Sequence, residues 1–173
     1  ERFVGEIAIK SDCLLTEYYH RPEATRESMQ DGWYYTGDLG YRADQDVFVT
    51  GRKNDTIIVA GKNIYPEEIE SVLNAQPGIG ESMVYGLTRE GKTGELVAAV
   101  IVPDTEWFAA VSPVALSDQQ LLNAAIDQSV KTACAQMAPY KRVVEWQLRR
   151  DPFEKTSTRK IKRAVALSQL KKK

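Results

Sequence analysis

The sequence predicts an α+β fold in two parts, and three observations carry that reading. The first fifty residues alternate short strand-like runs with turns, the pattern changes after Gly51-Arg52-Lys53-Asn54-Asp55, and beyond that point paired strands are interleaved with helices. The parts are residues 1–52, rich in β structure, and residues 53–173, a small α+β domain of a hairpin, a helix, a short mixed sheet and flanking helices. A chain of 173 residues has room for one domain or two small ones. At 43% hydrophobic and 27% charged it can bury a core without disulfides or a structural metal, which excludes general disorder.

The elements follow in order. Glu6 to Lys10 alternates as a strand, Pro22 suits the first turn of a short helix over Glu23 to Gln30, and Asp31-Gly32 stops it before an extended Trp33-Tyr34-Tyr35. Val47-Phe48-Val49 is another short strand. Thr56-Ile57-Ile58-Val59, a turn at Ala60-Gly61-Lys62-Asn63 and an extended Ile64-Tyr65 read as a hairpin. Pro66 opens a helix whose Glu67 and Glu68 suit the positive dipole end and whose Ile69, Val72 and Leu73 form a buried stripe. Gln76-Pro77-Gly78 ends it, and Ser82 to Leu87 pairs with Glu95 to Val102 across the polar turn Thr88-Arg89-Glu90-Gly91-Lys92. Asp104 to Leu116 is ambiguous, with Trp107 and Phe108 read as core. Ser117-Asp118-Gln119-Gln120 reads as a capping box opening a long helix to about Ala138, where Pro139 closes it. Val143 to Leu148 is a strand and Ile161 to Leu170 a terminal helix.

Lys and Arg number 23 against 24 Asp and Glu, so the formal net charge of −1 makes no global case for nucleic acid or a membrane surface. The longest apolar run, Leu96 to Val102, has seven residues. A spanning helix needs about 20, so no transmembrane segment is expected. Cys13, Cys134 and the single His20 cannot build a zinc site, so no metal site is expected. Both thiols read as reduced and structural in a cytoplasmic setting. The chain opens without Met, directly on a strand and without a signal-peptide pattern, and so reads as a piece of something longer.

Three segments hold more chemistry than packing requires. In Tyr35-Thr36-Gly37-Asp38-Leu39-Gly40 an acid sits between two glycines, and its two oxygens match a vicinal diol. The same segment alone also reads as an Asp in a type I or II turn. The second segment joins Gly51 to Asp55 with Gly61 to Glu70. The third is Glu154 to Arg163, within a stretch from Lys155 to Lys173 that holds eight Lys or Arg and no acid, leaving −9 on the remainder. Alone, such a run also reads as a solvated face or an anion-attracting tail.

In order and content these segments resemble the C-terminal end of the adenylate-forming (AMP-dependent synthetase and ligase) superfamily: acyl-CoA synthetases, luciferases and the adenylation domains of peptide synthetases. The likeness begins at Gly5-Glu6-Ile7 and passes through Tyr18-Tyr19, Pro22-Glu23-Ala24-Thr25, Asp31-Gly32-Trp33 and Thr36 to Gly40. It continues through Gly51-Arg52, Gly61 and Glu67-Glu68-Ile69-Glu70, and closes at Lys155-Thr156 with Arg159-Lys160-Ile161. The resemblance implies that residues 1–52 end a large adenylating domain and residues 53–173 form a small mobile lid. It implies that Asp38 binds the ribose hydroxyls of ATP or AMP and that Arg52 sets its guanidinium against the ribose and phosphate side. Lys53, Asn54 and Asp55 fall at the hinge, where Asn54 departs from the usual Asp or Lys. Gly61 falls where relatives line the pantetheine tunnel, and equally reads as a plain hairpin turn.

Lys160 aligns with the lysine the family uses in its first half-reaction. Attack of a carboxylate on the α-phosphate brings two anions together, and an ammonium between them offsets the repulsion and stabilises charge developing in the transition state. The block Ile64 to Glu70, with Glu81-Ser82-Met83-Val84 and Phe153-Glu154-Lys155-Thr156, looks most like bacterial long-chain fatty-acid CoA ligases. The implied parent converts a fatty acid and ATP to acyl-AMP and passes the acyl group to CoA, with Mg2+ in the whole enzyme. Fatty acyl-AMP ligases and adenylation domains that load a carrier protein are the alternative. The family's phosphate loop, adenine pocket and acyl pocket precede its Gly5-Glu6-Ile7 segment, so a large N-terminal domain is the expected partner in cis and this chain alone is expected to be inactive. A reading of another class, a non-catalytic anion-binding or regulatory module docking through Lys155 to Arg163, lacks the interleaved aromatics a nucleic-acid partner would favour.

Overall fold

The computed structural model describes residues 3–89, 91 and 94–170; Glu90 and Lys92 of the expected polar turn and the Lys171-Lys172-Lys173 end lie outside the described residues. The chain divides into two compact units, Glu1–Thr56 and Ile57–Lys173.

The first unit is an antiparallel sheet around one long strand. β1 (Gly5–Ile9), β2 (Met29–Gln30) and β4 (Asp46–Arg52) all pair with β3 (Trp33–Ala43), and α1 (Pro22–Ser28) precedes β2. The helix stops at Ser28 because Met29 and Gln30 pair with Tyr34 and Trp33 across a two-residue turn. Asp31 and Gly32 of that turn have φ of 50° and 78°, both left-handed as a type I′ hairpin turn requires, so the expected helix stop is also a strand-pairing device. Among the described residues of this unit only Gly40 and Gly51 are buried, while Phe3, Tyr19, Val47 and Val49 are exposed.

The second unit carries the core. A hairpin of β5 (Ile57–Val59) and β6 (Lys62–Ile64) leads into α2 (Pro66–Asn74), whose Pro66 is its first residue and whose Ile69 and Leu73 are buried as their spacing predicts. β7 (Ile79–Thr88) pairs antiparallel with β8 (Glu95–Pro103), which pairs parallel with β9 (Glu145–Leu148), giving the expected short mixed sheet. A parallel pair needs a long crossover, supplied by α3 (Thr105–Val111), α4 (Pro113–Ser117) and α5 (Gln119–Ala135). β8 reads as one apolar run because both its faces are covered. Val97, Ala99 and Ile101 pack with α2 and α5 through Leu73, Leu122, Ile126 and Val130, whereas Val100 and Val102 pack with Met83, Phe153 and Ala166 of α6 (Arg163–Leu170). Each large side chain fully buried there contributes about 1.5–3 kcal/mol.

Local capping departs from the expectation. Ser117 ends α4, where its hydroxyl donates to the Val114 carbonyl at 3.0 Å, and Asp118 is the cap of α5, its Oδ1 accepting from the Gln120 and Leu121 N–H groups at 2.8 and 3.2 Å. The ambiguous connector is helical because Asp104 caps α3 through the Trp107 N–H at 3.0 Å, with Phe108 buried beneath. The terminal helix begins at Arg163 because Ile161 is taken up in a bridge with Lys155. No helix among the described residues is long and apolar enough to cross a membrane.

Candidate functional site

The β3–β4 register sets Asp38 directly opposite Arg52, and the Arg52 Nε lies 2.8 Å from Asp38 Oδ1. Asp38 therefore stands inside a strand; Gly37, at φ 74°, and a register shift between Leu39 and Gly40 supply the kink that the turn reading attributed to the whole segment. Strand β1 holds that kink in place. The Thr36 hydroxyl donates to the Ile7 carbonyl at 2.8 Å and accepts the Asp38 N–H at 3.1 Å, while the Glu6 carboxylate accepts the Gly37 N–H at 3.2 Å and the Lys53 ammonium at 2.9 Å. With side chains 57% and 34% exposed, the Arg52–Asp38 pair contributes at most about 1 kcal/mol to stability. Its value is geometric, because Asp38 Oδ2 and the terminal guanidinium nitrogens keep their hydrogen-bonding capacity for a ligand. Nearby, the Tyr34 phenol is held above its ordinary range, first by its 2.9 Å hydrogen bond with the Tyr18 hydroxyl.

Lys160 lies in a closed turn. Lys155 bridges Ile161, the Thr156 N–H donates to the Lys160 carbonyl at 2.8 Å, and the Lys160 N–H donates to the Thr156 hydroxyl at 3.2 Å. Arg159, at φ 64°, turns the chain in a left-handed conformation unusual for a residue with a side chain. Lys160 is exposed, and its ammonium makes no hydrogen bond or ion pair among the described residues.

The far side of the loop is tied by Arg163. Its Nη2 lies 2.6 and 2.7 Å from the two Glu70 oxygens, its Nη1 donates to the Val84 carbonyl at 2.9 Å, and Glu70 Oε1 also accepts the Val84 N–H at 2.7 Å. Burial pushes the Glu70 carboxyl up, against the lowering pull of Arg163 and the Val84 N–H. Sequence reading placed Glu70 in a motif and gave it no partner. The available signal was Arg163 itself, a cation at the positive end of α6, where the helix dipole disfavours it unless an acid lies close.

Ala60 and Gly61, at φ 49° and 76°, form the two-residue turn of the β5–β6 hairpin. A Cβ at Gly61 would meet nothing within 4 Å, so glycine is required there by conformation and not by crowding. The hairpin is fixed to β8 by the Glu95 carboxylate, which accepts the Ile58 N–H at 2.7 Å. Asp38, Arg52 and Lys53 are thus brought together in the first unit, with Asn54 and Asp55 completing a single 3-10 turn after Arg52, while Gly61 and Lys160 belong to the second. No group of three or more His, Cys, Asp or Glu among the described residues is arranged to hold a metal ion.

Residues 68–160 match the family model of the AMP-binding enzyme C-terminal domain, and the chain belongs to that family. It is 50% identical over 101 residues to the long-chain-fatty-acid–CoA ligase FadD13 of Mycobacterium tuberculosis, covering 58% of this chain and 20% of that protein. It is 45% identical over 101 residues to the fatty acid–[acyl-carrier-protein] ligase ScoC of Streptomyces coeruleorubidus, covering 57% of this chain and 19% of that protein. Among solved structures, a Mycobacterium tuberculosis fatty acyl CoA synthetase aligns with 97% of this chain and 30% of its own length, at 37% identity and a TM-score of 0.55. The chain spans about a fifth of the length of the curated relatives it matches.

Proposed function

We propose that this chain is the C-terminal part of an ATP-dependent, AMP-forming acyl-CoA synthetase whose carboxylate substrate is a fatty acid. The observation that carries the reading is the unpaired Lys160 ammonium on a loop tied at both ends. In the first half-reaction a carboxylate oxygen bonds to the α-phosphorus of ATP and pyrophosphate leaves; Lys160 lies between the two anions and offsets their repulsion. In the second, the CoA sulfur bonds to the acyl carbon and AMP leaves. Asp38 accepts hydrogen bonds from the ribose hydroxyls, Arg52 turns its terminal nitrogens to the phosphate side, and the open backbone at Gly61 borders the path of the pantetheine arm. A large domain in cis supplies the adenine and acyl pockets, in a cytoplasmic setting consistent with two free cysteines. Mg2+ accompanies ATP, and no step is assigned to it in this chain.

ScoC, similar over the same length of chain, favours a second acceptor, a carrier protein. The full-length protein, given ATP and a series of fatty acids with either CoA or a pantetheinylated carrier protein, is expected to release pyrophosphate and form acyl-CoA, whereas residues 1–173 alone release none. Pyrophosphate release with no fatty acid of any chain length would overturn the reading, and transfer only to the carrier protein would establish the second. Asp38→Ala should weaken ATP and AMP binding together, by about 10- to 100-fold for the loss of a charged hydrogen-bond acceptor. Unchanged AMP affinity by calorimetry would remove Asp38 from the ribose site.

The hinge belongs to the same proposal. Lys53 is tied to Glu6 at 2.9 Å, and the single 3-10 turn Lys53–Asp55 is where the backbone change between half-reactions is absorbed. Asn54→Pro fixes φ near −65° without touching a substrate contact, and is expected to slow the thioester step more than adenylation in single-turnover kinetics. Near-wild-type rates for both steps would place the pivot elsewhere.

A further inference from the structure

The lysine loop has an anchor on β7 whose origin is a single extra residue. Ile79 pairs with Pro103 and Glu81 with Val102, so Gly80 is inserted in β7 as a bulge. Side chains alternate along a strand, and a bulge that absorbs one residue puts those after it on the face opposite to the one that unbroken alternation would give. Ile79 packs into the core with α2 and α5, whereas Met83 packs with Phe153 and Ala166 on the other face. Were Gly80 an ordinary residue of the ladder, Glu81 would share the face of Ile79 and enter an apolar core; because the bulge absorbs Gly80 and pairs Glu81 with Val102, the carboxylate falls on the face of Met83, beside the chain that leads into the loop. Residue 80 has little room for a side chain, since a Cβ there would come within 3.3 Å of the Asp104 backbone.

On that face one carboxylate takes two donors from the approaching segment. Glu81 Oε2 accepts the Phe153 N–H at 3.3 Å, and Oε1 lies 2.6 Å from the Lys155 ammonium. Lys155 is the bridge partner of Ile161, the residue after Lys160. We propose that Glu81 is a positioning residue for Lys160: it fixes where the segment entering the loop docks on β7 and hence where the ammonium is presented. The inference rests on the reading that Lys160 serves adenylate formation. The Lys155–Glu81 side chains are 36% and 22% exposed, so the ion pair adds little stability, whereas displacement of a reacting group by about 1 Å costs on the order of 100-fold in rate.

The test uses the full-length protein carrying Glu81→Gln, Lys160→Ala or both, with single-turnover adenylate formation and thioester formation from supplied acyl-adenylate measured separately. Glu81→Gln is expected to slow adenylate formation about tenfold and to leave the thioester step within about twofold. The double variant is expected to be no slower than Lys160→Ala alone, because an effect exerted through Lys160 vanishes once the ammonium is gone. Lys155→Met, which keeps the acceptor for the Phe153 N–H, should reproduce the effect and serves if Glu81→Gln unfolds. Slow Lys160→Ala beside normal adenylation in Glu81→Gln and Lys155→Met would overturn the positioning role and leave the role of Lys160 standing. Equal losses in both half-reactions, or a double variant slowed by the full product of the two singles, would overturn it as well. A Lys160→Ala enzyme as fast as wild type would bring down both the role of Lys160 and the positioning of it.

Discussion

Lys160→Ala in the full-length protein is expected to slow adenylate formation by about 10²- to 10³-fold, about 3–4 kcal/mol, with thioester formation from supplied acyl-adenylate left near wild type. The asymmetry follows from where the charge is needed. On the proposed role the charge is needed only when the carboxylate attacks the α-phosphate, and the ammonium makes no hydrogen bond or ion pair among the described residues whose loss could disturb the fold. Stability should accordingly stay within about 0.5 kcal/mol of wild type, as for an exposed substitution that breaks no buried contact. Single-turnover rates for each half-reaction, beside a denaturant unfolding curve, check both statements. Equal slowing of the two steps would assign Lys160 a different role.

Arg163→Met is expected to destabilise the second unit by about 3–5 kcal/mol, because it leaves the Glu70 carboxylate without its counter-charge. The Glu70 and Arg163 side chains are only 12% and 17% exposed, and the guanidinium contacts both carboxylate oxygens. Adding Glu70→Leu should recover part of the loss, since the penalty lies in the stranded charge more than in the absent pair. Urea unfolding followed by circular dichroism reads both variants, and a loss below about 1 kcal/mol for Arg163→Met would show that the pair is not holding α6 to α2. The same site has a pH signature. Because burial raises the Glu70 carboxyl above its ordinary value, the folded chain holds that proton more tightly than the unfolded chain. The stability of wild type relative to Glu70→Gln is therefore greatest below the ordinary glutamate pKa and declines as pH rises through the raised one. A relative stability that increases over that interval would mean that Arg163 outweighs burial.

What could be read in the sequence were features set by a few consecutive residues. Pro66 with Glu67 and Glu68 marked the start of α2, Ile69 and Leu73 marked its buried stripe, and Glu95 to Val102 marked a strand of the hairpin. The order of Asp38, Arg52, Gly61 and Lys160 pointed to one family before any geometry was known, and the family match over residues 68–160 agrees with it. The capping box placed at Ser117 gave way to tertiary context: the short helix Pro113–Ser117 consumes the serine, and Asp118 caps α5 instead.

Period, turn chemistry and motif spacing act within a few residues of each other, and they were enough to mark the α+β class, the family and the order of the candidate residues. Long-range packing sets Asp38 opposite Arg52 across a strand pair, turns Glu81 toward Lys155 through the Gly80 bulge, and brings Glu70 to Arg163. Those partners lie 14, 74 and 93 residues apart. No local preference of the backbone encodes such separations; they follow from strand register and from the burial that forces a carboxylate to find its cation.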